Sequence, residues 1–350
     1  MRIKRFFTSL CLGGAVIAAT AVTVGAQEKQ LTVANFGGLV QDMVRAIYFN
    51  PFAATGVKLV EDSRDYGIGV VRTRIEGGNN TWDVVAAEDI EVIQGCQEKL
   101  FEKIDYSRIE DADKLIPDAK LECGLGEILY NMSIAYDPAK TQEAPQNWAD
   151  FWNVGKWPGK RALYRDPRDS LEAALLADGV AASDVYKVLA TPEGQDRAFN
   201  KIKELQPDII WYTNPGQSRQ MLASGEATMI ATYDSGINAT NINDGLKNKV
   251  VSNNSIRHID YWAIPKGTQN LDTAYEFLNF ATDAGRQAEL ASKMGISVPN
   301  TDALAKVDPN VLPVLSANPD NIKTAIQSDP QFWLDNYDAL NQRLTTLIGQ

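Results

Sequence analysis

The chain has 350 residues, 44% of them hydrophobic, and 45 acidic against 34 basic side chains give it a net charge of −11. That balance repels phosphate backbones, and no Lys/Arg cluster offsets it, which excludes nucleic-acid binding as the main activity. The only histidine, His258, excludes the zinc-protease helix and any site that needs several imidazoles.

Arg2, Lys4 and Arg5 form a basic start, and Phe6 to Val24 is an apolar stretch broken only by small or hydroxylated residues. Val24-Gly25-Ala26 then offers small residues to a signal peptidase, so the pattern predicts a signal peptide over 1–26, cleaved near Ala26. Cys11 stands at the start of the apolar run, not after it, which does not fit a lipoprotein. Cleavage removes three positive charges and moves the net charge to −14. The mature chain is expected in the periplasm, and it is long enough for two lobes, each with its own core.

Lys29 to Asn35 reads as a buried strand, followed by a Gly37-Gly38 turn and a helical pattern from Val40 to Phe52. Gly56 to Glu61 is a second strand, Tyr66 to Glu76 a helix, and Trp82 to Ala87 a third strand. This alternation belongs to a parallel sheet with helices on both faces, where ligands sit beyond the carboxyl ends of the strands. The loops after Val33 and Val85 are therefore the first places to expect a site. A second unit starts near Ala135. It holds a loop-rich connection from Trp148 to Trp157, a strand from Arg161 to Tyr164, and a helix from Ser170 to Leu176 capped by Asp169 or Ser170. A helix over Pro192 to Leu205 follows, then strands at Ile209 to Tyr212, Ala227 to Thr232 and His258 to Ile264. The chain is helical again from Thr273 to Met294 and from Phe332 to Ile348.

Cys96 and Cys123 are the two cysteines left after cleavage, and an isolated pair in an oxidising compartment reads as a disulfide. There is no CxxC, GxSxG, SxxK, GxxxxGK[ST] or EF-hand loop, so the usual contexts of redox, acyl-transfer, phosphate and calcium chemistry are missing. No catalytic residue, metal ligand or cofactor is expected. A pair of carboxylates working as a hydrolase remains the least favoured reading.

Several segments resemble the periplasmic substrate-binding proteins of ABC importers, in the spermidine/putrescine-binding branch. They are Gly225 to Asp234 (GEATMIATYD), Asp260 to Gly267 (DYWAIPKG), Asn147 to Trp152 with Pro158-Gly159-Lys160, and Gly295 to Asn300 with its Val298-Pro299-Asn300 ending. The resemblance implies an α/β, two-lobed "Venus flytrap", each lobe a mixed sheet flanked by helices, that captures a small amine between its lobes and delivers it to a permease. The expected division is 27–134 plus about 264–315 for one lobe, and 135–263 plus about 316–350 for the other. A monomer is expected, because such a trap must hinge freely.

In the branch it resembles, carboxylates hold ammonium groups and aromatic faces hold methylene chains. Asp260 matches a ligand carboxylate of that branch, and Asp166 and Asp169 match a second pair, although Asp169 also reads as a helix cap. Tyr233 falls where the branch has a stacking Trp, Asp234 where it has Asn, Phe36 at its first aromatic position and Glu88 where a small hydroxyl residue is common. Trp211 is expected near the cleft. His258 is read either as a pH-dependent ligand contact or as a satisfied strand residue. Three departures, His258 for Trp, Ile296 for Tyr and Ile90 for Tyr, take away stacking surface that a long polyamine needs. The alternative ligand is therefore a zwitterion such as 4-aminobutyrate, with Arg168, Arg219 or the Gly37-Gly38 amides as carboxylate donors; thiamine and ferric ion are further alternatives.

Overall fold

The apolar run after Lys29 forms strand β1 (Gln30–Asn35), with β2 (Lys58–Ser63) and β3 (Val84–Glu88) parallel to it on either side. A continuous helical stretch over 38–53 and a helix at Ile68–Glu76 make the crossovers between them. The computed structural model describes residues 29–349. The predicted signal peptide and its cleavage site lie outside the described residues.

Strand β4 (Lys120–Leu121) pairs with β5 (Gly124–Tyr136). Beyond them, β6 (Arg161–Tyr164), β7 (Ile209–Tyr212) and β8 (Met229–Tyr233) repeat the parallel arrangement, with β6 in the middle. The two three-stranded groups are joined by β5 and by β9 (Lys249–Ala263), which run antiparallel to each other; β10 (Ile326–Gln327) adds to β9. The sheet order is β2-β1-β3-β9-β5-β8-β6-β7. The sheet is therefore mixed, as the expected fold class requires, with parallel groups on either side of an antiparallel pair.

Two separate cores flank this joining pair. On β5, Leu125, Ile128 and Leu129 pack into the first core and its satellite cluster, whereas Met132, Ile134 and Tyr136 pack into the second. On β9, Ile259, Tyr261 and Trp262 belong to the first side and Ile256 to the second. The changeover falls where Tyr130 and Asn131 pair with His258 and Arg257, and β5 has register shifts on both sides of it, at Gly126/Ile128 and Met132/Ile134. Bulges of this kind bend a strand, which suits a segment passing from one core to the next.

Local sequence accounts for the helices nearest the joining pair. Helix Pro330–Ile348 starts at Asp329, whose carboxylate accepts the Phe332 amide at 3.0 Å. It buries Trp333, Leu340, Leu344 and Leu347 against the second core, at helical spacing. Helix Pro167–Ala177 is capped by Asp166, which accepts the Arg168 amide at 2.9 Å, and not by Asp169 or Ser170. Arg168 and Asp169 interrupt it with non-helical angles, and Asp169 has a φ of 67°.

Candidate ligand-binding site

A cavity of about 370 Å³ opens between the two cores, where the strands of both groups end. One wall comes from the first side, with Val40, Tyr66, Glu88, Ile128, Asp260 and Ile296. The other comes from the second, with Tyr164, Asp166, Arg168, Pro215, Tyr233, Ser235 and Tyr337, and Tyr130 stands at the changeover. Apolar walls with a few polar groups aimed inward are what a small organic ligand requires.

The charged groups are held by their own elements. Glu88 ends β3 and precedes helix Asp89–Gln97; its amide donates to Glu91 Oε2 at 2.9 Å. Asp260 lies directly opposite Glu88 in the β3–β9 register. Burial, and then the neighbouring Glu88 charge, push the Asp260 carboxyl well above the usual carboxylate range, and a hydrogen bond from Tyr130 Oη at 3.0 Å only partly offsets this. Asp166 accepts from Tyr337 Oη at 3.2 Å, and burial raises its pKa too, against the opposing pull of Arg168.

Arg168 is the one guanidinium in the cavity wall. It lies 3.4 Å from Glu88 across the cleft and 3.4 Å from Asp166 on its own side. Burial disfavours its charge, but Glu88 and Asp166 outweigh that and keep it protonated. These contacts are long for charge-assisted hydrogen bonds, so the fork keeps donor capacity for an anion. Ser235, in the first turn of helix Asp234–Asp244, adds a hydroxyl to the same side.

Five tyrosines line the cavity: Tyr66, Tyr130, Tyr164, Tyr233 and Tyr337. Tyr130 meets Tyr233 edge-on at 5.0 Å between centroids, and Tyr233 meets Tyr164 at 6.4 Å. Tyr66 is stacked on Phe36 at 4.2 Å, and Phe36 in turn has the Arg64 guanidinium 4.8 Å from its ring centre. The box is aromatic, with Glu88 and Asp260 on one wall and Asp166 beside the single guanidinium, Arg168, on the other.

The family model for "Bacterial extracellular solute-binding protein" matches residues 49–322. The chain belongs to the bacterial extracellular solute-binding proteins. It is 38% identical over 338 residues to the gamma-aminobutyric acid-binding protein of Pseudomonas aeruginosa, covering 96% of this chain and 95% of that one. It is 25% identical over 190 residues to the putrescine/cadaverine-binding protein of the same organism, covering 50% of this chain and 51% of that one. Among solved structures, the Atu4243–GABA receptor superposes with a TM-score of 0.82 at 30% identity, covering 91% of this chain and 98% of that one. Proteins of this family bind solutes for transport, and the two-lobed α/β fold expected from the resemblance is the fold observed.

In this solute-binding protein, four of the nine residues expected in the site line the cavity: Glu88, Asp166, Tyr233 and Asp260. The other five do not, each for a visible reason. Phe36 sits behind Tyr66. Asp169 is bonded to His258, with Oδ1 2.7 Å from Nε2, and the His258 ring is stacked on Tyr130. Asp234 is buried at a helix start, where its carboxylate accepts the Asn131 and Ser235 amides at 2.9 and 2.7 Å; burial pushes its pKa up to about 7. Trp211 lies on the outermost strand, opposite Leu163, and packs against the second core.

Of the proposed carboxylate donors only Arg168 reaches the cavity wall. Arg219 donates to Pro215 O at 3.2 Å, and Gly37 and Gly38 shape the turn before Val40, with φ of 80° and 68°. Ile296 lines the wall at a departure from the polyamine branch, whereas Ile90 packs at the edge of the second core. Tyr66, Tyr130, Tyr164 and Tyr337 were missed. They come from four distant stretches of chain, and no local pattern marks them. Cys96 and Cys123 are joined as a disulfide.

Proposed function

We propose that this protein captures 4-aminobutyrate, or a close ω-amino acid, between its lobes and presents it to an ABC permease from the periplasm. One observation carries the choice: Arg168 lines the same cavity as the Glu88–Asp260 pair, from the opposite wall. An ammonium taken out of water needs a carboxylate or a π face, and Glu88, Asp260 and the tyrosine rings supply both. A ligand carboxylate needs fixed donors, which the Arg168 guanidinium and the Ser235 hydroxyl provide. Tyrosine faces with Ile128 and Ile296 cover the methylenes between the two ends.

A diamine satisfies only half of this arrangement. Its second ammonium would meet the Arg168 guanidinium, a like charge in a partly desolvated site. The binding partner named for the 38%-identical relative points the same way, and the putrescine/cadaverine-binding relative is more distant and matches half the chain. The zwitterion reading thus replaces the amine as the preferred ligand.

The lobes we assign follow the two cores, with the division at Tyr130–Asn131 in β5 and Arg257–His258 in β9. Closure about this pair on the ligand is the shift that a permease reads. Calorimetric titration of residues 27–350 with 4-aminobutyrate, putrescine and spermidine tests the reading. Binding of 4-aminobutyrate at least tenfold tighter than putrescine is expected. Preference for putrescine overturns it.

A further inference from the structure

Arg168 and Asp169 interrupt the chain between β6 and the helix that follows, and the interruption is strained. Arg168 is extended, with ψ of 144°, and Asp169 is left-handed, with φ of 67°. An aspartate adopts that region at a cost and stays there only where its surroundings hold it. Here the holding contact is the 2.7 Å bond between Asp169 Oδ1 and His258 Nε2. Both groups are buried, at 3% and 7% exposure. His258 is fixed in turn by β9, at the changeover between cores, and by its stack on Tyr130 at 5.6 Å. The charged and titratable groups around it are Asp169, Asp89 from the helix after β3, Arg168, and Asp234 at the start of its helix.

Neither His258 nor Asp169 lines the cavity, yet Asp169 directly follows the residue that supplies the guanidinium. Tying Asp169 to β9 fixes the backbone from which the Arg168 side chain departs. Without the tie, the extended-then-left-handed pair can relax to helical angles, and the Arg168 Cα–Cβ direction turns with it. We infer that His258 and Asp169 are a positioning pair: from behind the wall they set the Arg168 guanidinium for the ligand carboxylate. This rests on the zwitterion reading of the cavity and adds to it the residues that determine its anion specificity.

A double-mutant cycle on the mature protein separates this role from general support of the fold. His258→Phe keeps the ring against Tyr130 but has no N–H for Asp169; His258→Gln restores a donor. Asp169→Asn, which tolerates the left-handed region, removes the charge with little change in shape. The readout is 4-aminobutyrate affinity by NMR titration, with thermal melting to confirm folding. His258→Phe is expected to weaken binding roughly 10- to 100-fold, and Asp169→Asn, which keeps an oxygen acceptor for His258 Nε2 but loses the charge, by less. His258→Gln should recover most of the loss, and His258→Phe should cost nothing further in an Arg168→Ala background. An equal cost in both backgrounds, or wild-type affinity in His258→Phe, overturns the positioning role alone. Wild-type affinity in Arg168→Ala overturns the zwitterion reading, and the positioning role with it.

Discussion

Glu88 and Asp260 stand directly opposite each other on two antiparallel strands, so two carboxylates share one edge of the cavity. Like charges at such cross-strand positions destabilise a sheet, and burial adds to the cost. The arrangement makes sense as a seat for a cation, in which the empty protein is held above its lowest free energy. Asp260→Asn is therefore expected to act in opposite directions on binding and on folding. Affinity for 4-aminobutyrate should fall by about 2–3 kcal/mol, the loss of a charge-assisted hydrogen bond. The ligand-free melting temperature should stay level or rise. Calorimetry and a thermal melt of the same sample check both, and an unchanged affinity removes Asp260 from the site.

The same pair predicts proton release. With its pKa well above the usual carboxylate range, Asp260 carries a proton in the empty protein at pH values where a free aspartate would not. An ammonium beside it favours the charged form, so binding expels that proton. Titrations in two buffers of different ionisation enthalpy should give different apparent binding enthalpies, corresponding to release of up to about one proton per ligand. Affinity should also rise with pH until the empty-state carboxyl is ionised. Identical enthalpies in both buffers would mean that Asp260 is already ionised before the ligand arrives.

The Cys96–Cys123 bond closes a loop with a sequence separation of 27, from the end of the helix that follows Glu88 to the turn before β5. In the chain-entropy account this constraint on the unfolded state stabilises the fold by roughly 3–4 kcal/mol. Cys96→Ala with Cys123→Ala should lower the urea midpoint accordingly and raise the m-value somewhat, because the freed unfolded chain exposes more surface. Neither cysteine lines the cavity, so ligand affinity should persist in the double-alanine variant below its new midpoint.

Much of the fold was legible because its local signals agree. Arg161–Tyr164, Pro192–Leu205 and Ile209–Tyr212 have the bounds that pattern and caps predict. Strand β5 was missed because Glu127, Asn131 and Ser133 interrupt its apolar run; all three are buried, and Glu127 and Ser133 fall at the register shifts. Most of β9 was missed because its first half is polar and half-exposed, and only the end from His258 carries a strand signal. The site was legible where a residue matches a position of the solute-binding branch, as with Glu88 and Tyr233 at the ends of β3 and β8 and Asp260 within β9. Its remaining aromatics depend on which distant segments the fold brings together. Asp234 and Asp260 show the limit: both are buried aspartates close to the joining strands, but one accepts the Asn131 amide from β5 and the other lines the cavity.

His258 gives a pH signature that separates a charged pair from a neutral packed ring. Burial alone would lower its pKa, but the charge and hydrogen bond of Asp169 outweigh this and raise it to about 9, from 6.5 in the unfolded chain. A histidine raised in this way stabilises the fold fully below pH 6.5, and that stability is lost as pH rises through 9. The full effect is about 3 kcal/mol on the scale of 1.4 kcal/mol per pKa unit, an upper figure for a buried pair. The raised carboxyls Asp89 and Asp234, at about 6 and 7, also make stability fall with rising pH, but over a lower range. The His258 charge holds both of these down, so they rise further in His258→Phe, and the difference between the two proteins reports His258 together with its carboxylate neighbours. Urea unfolding of the two proteins from pH 6 to pH 10 should give a stability gap that is largest at the acid end and closes near pH 9. A gap independent of pH would show that the ring contributes packing and no charge, and that Asp169 is held by something else.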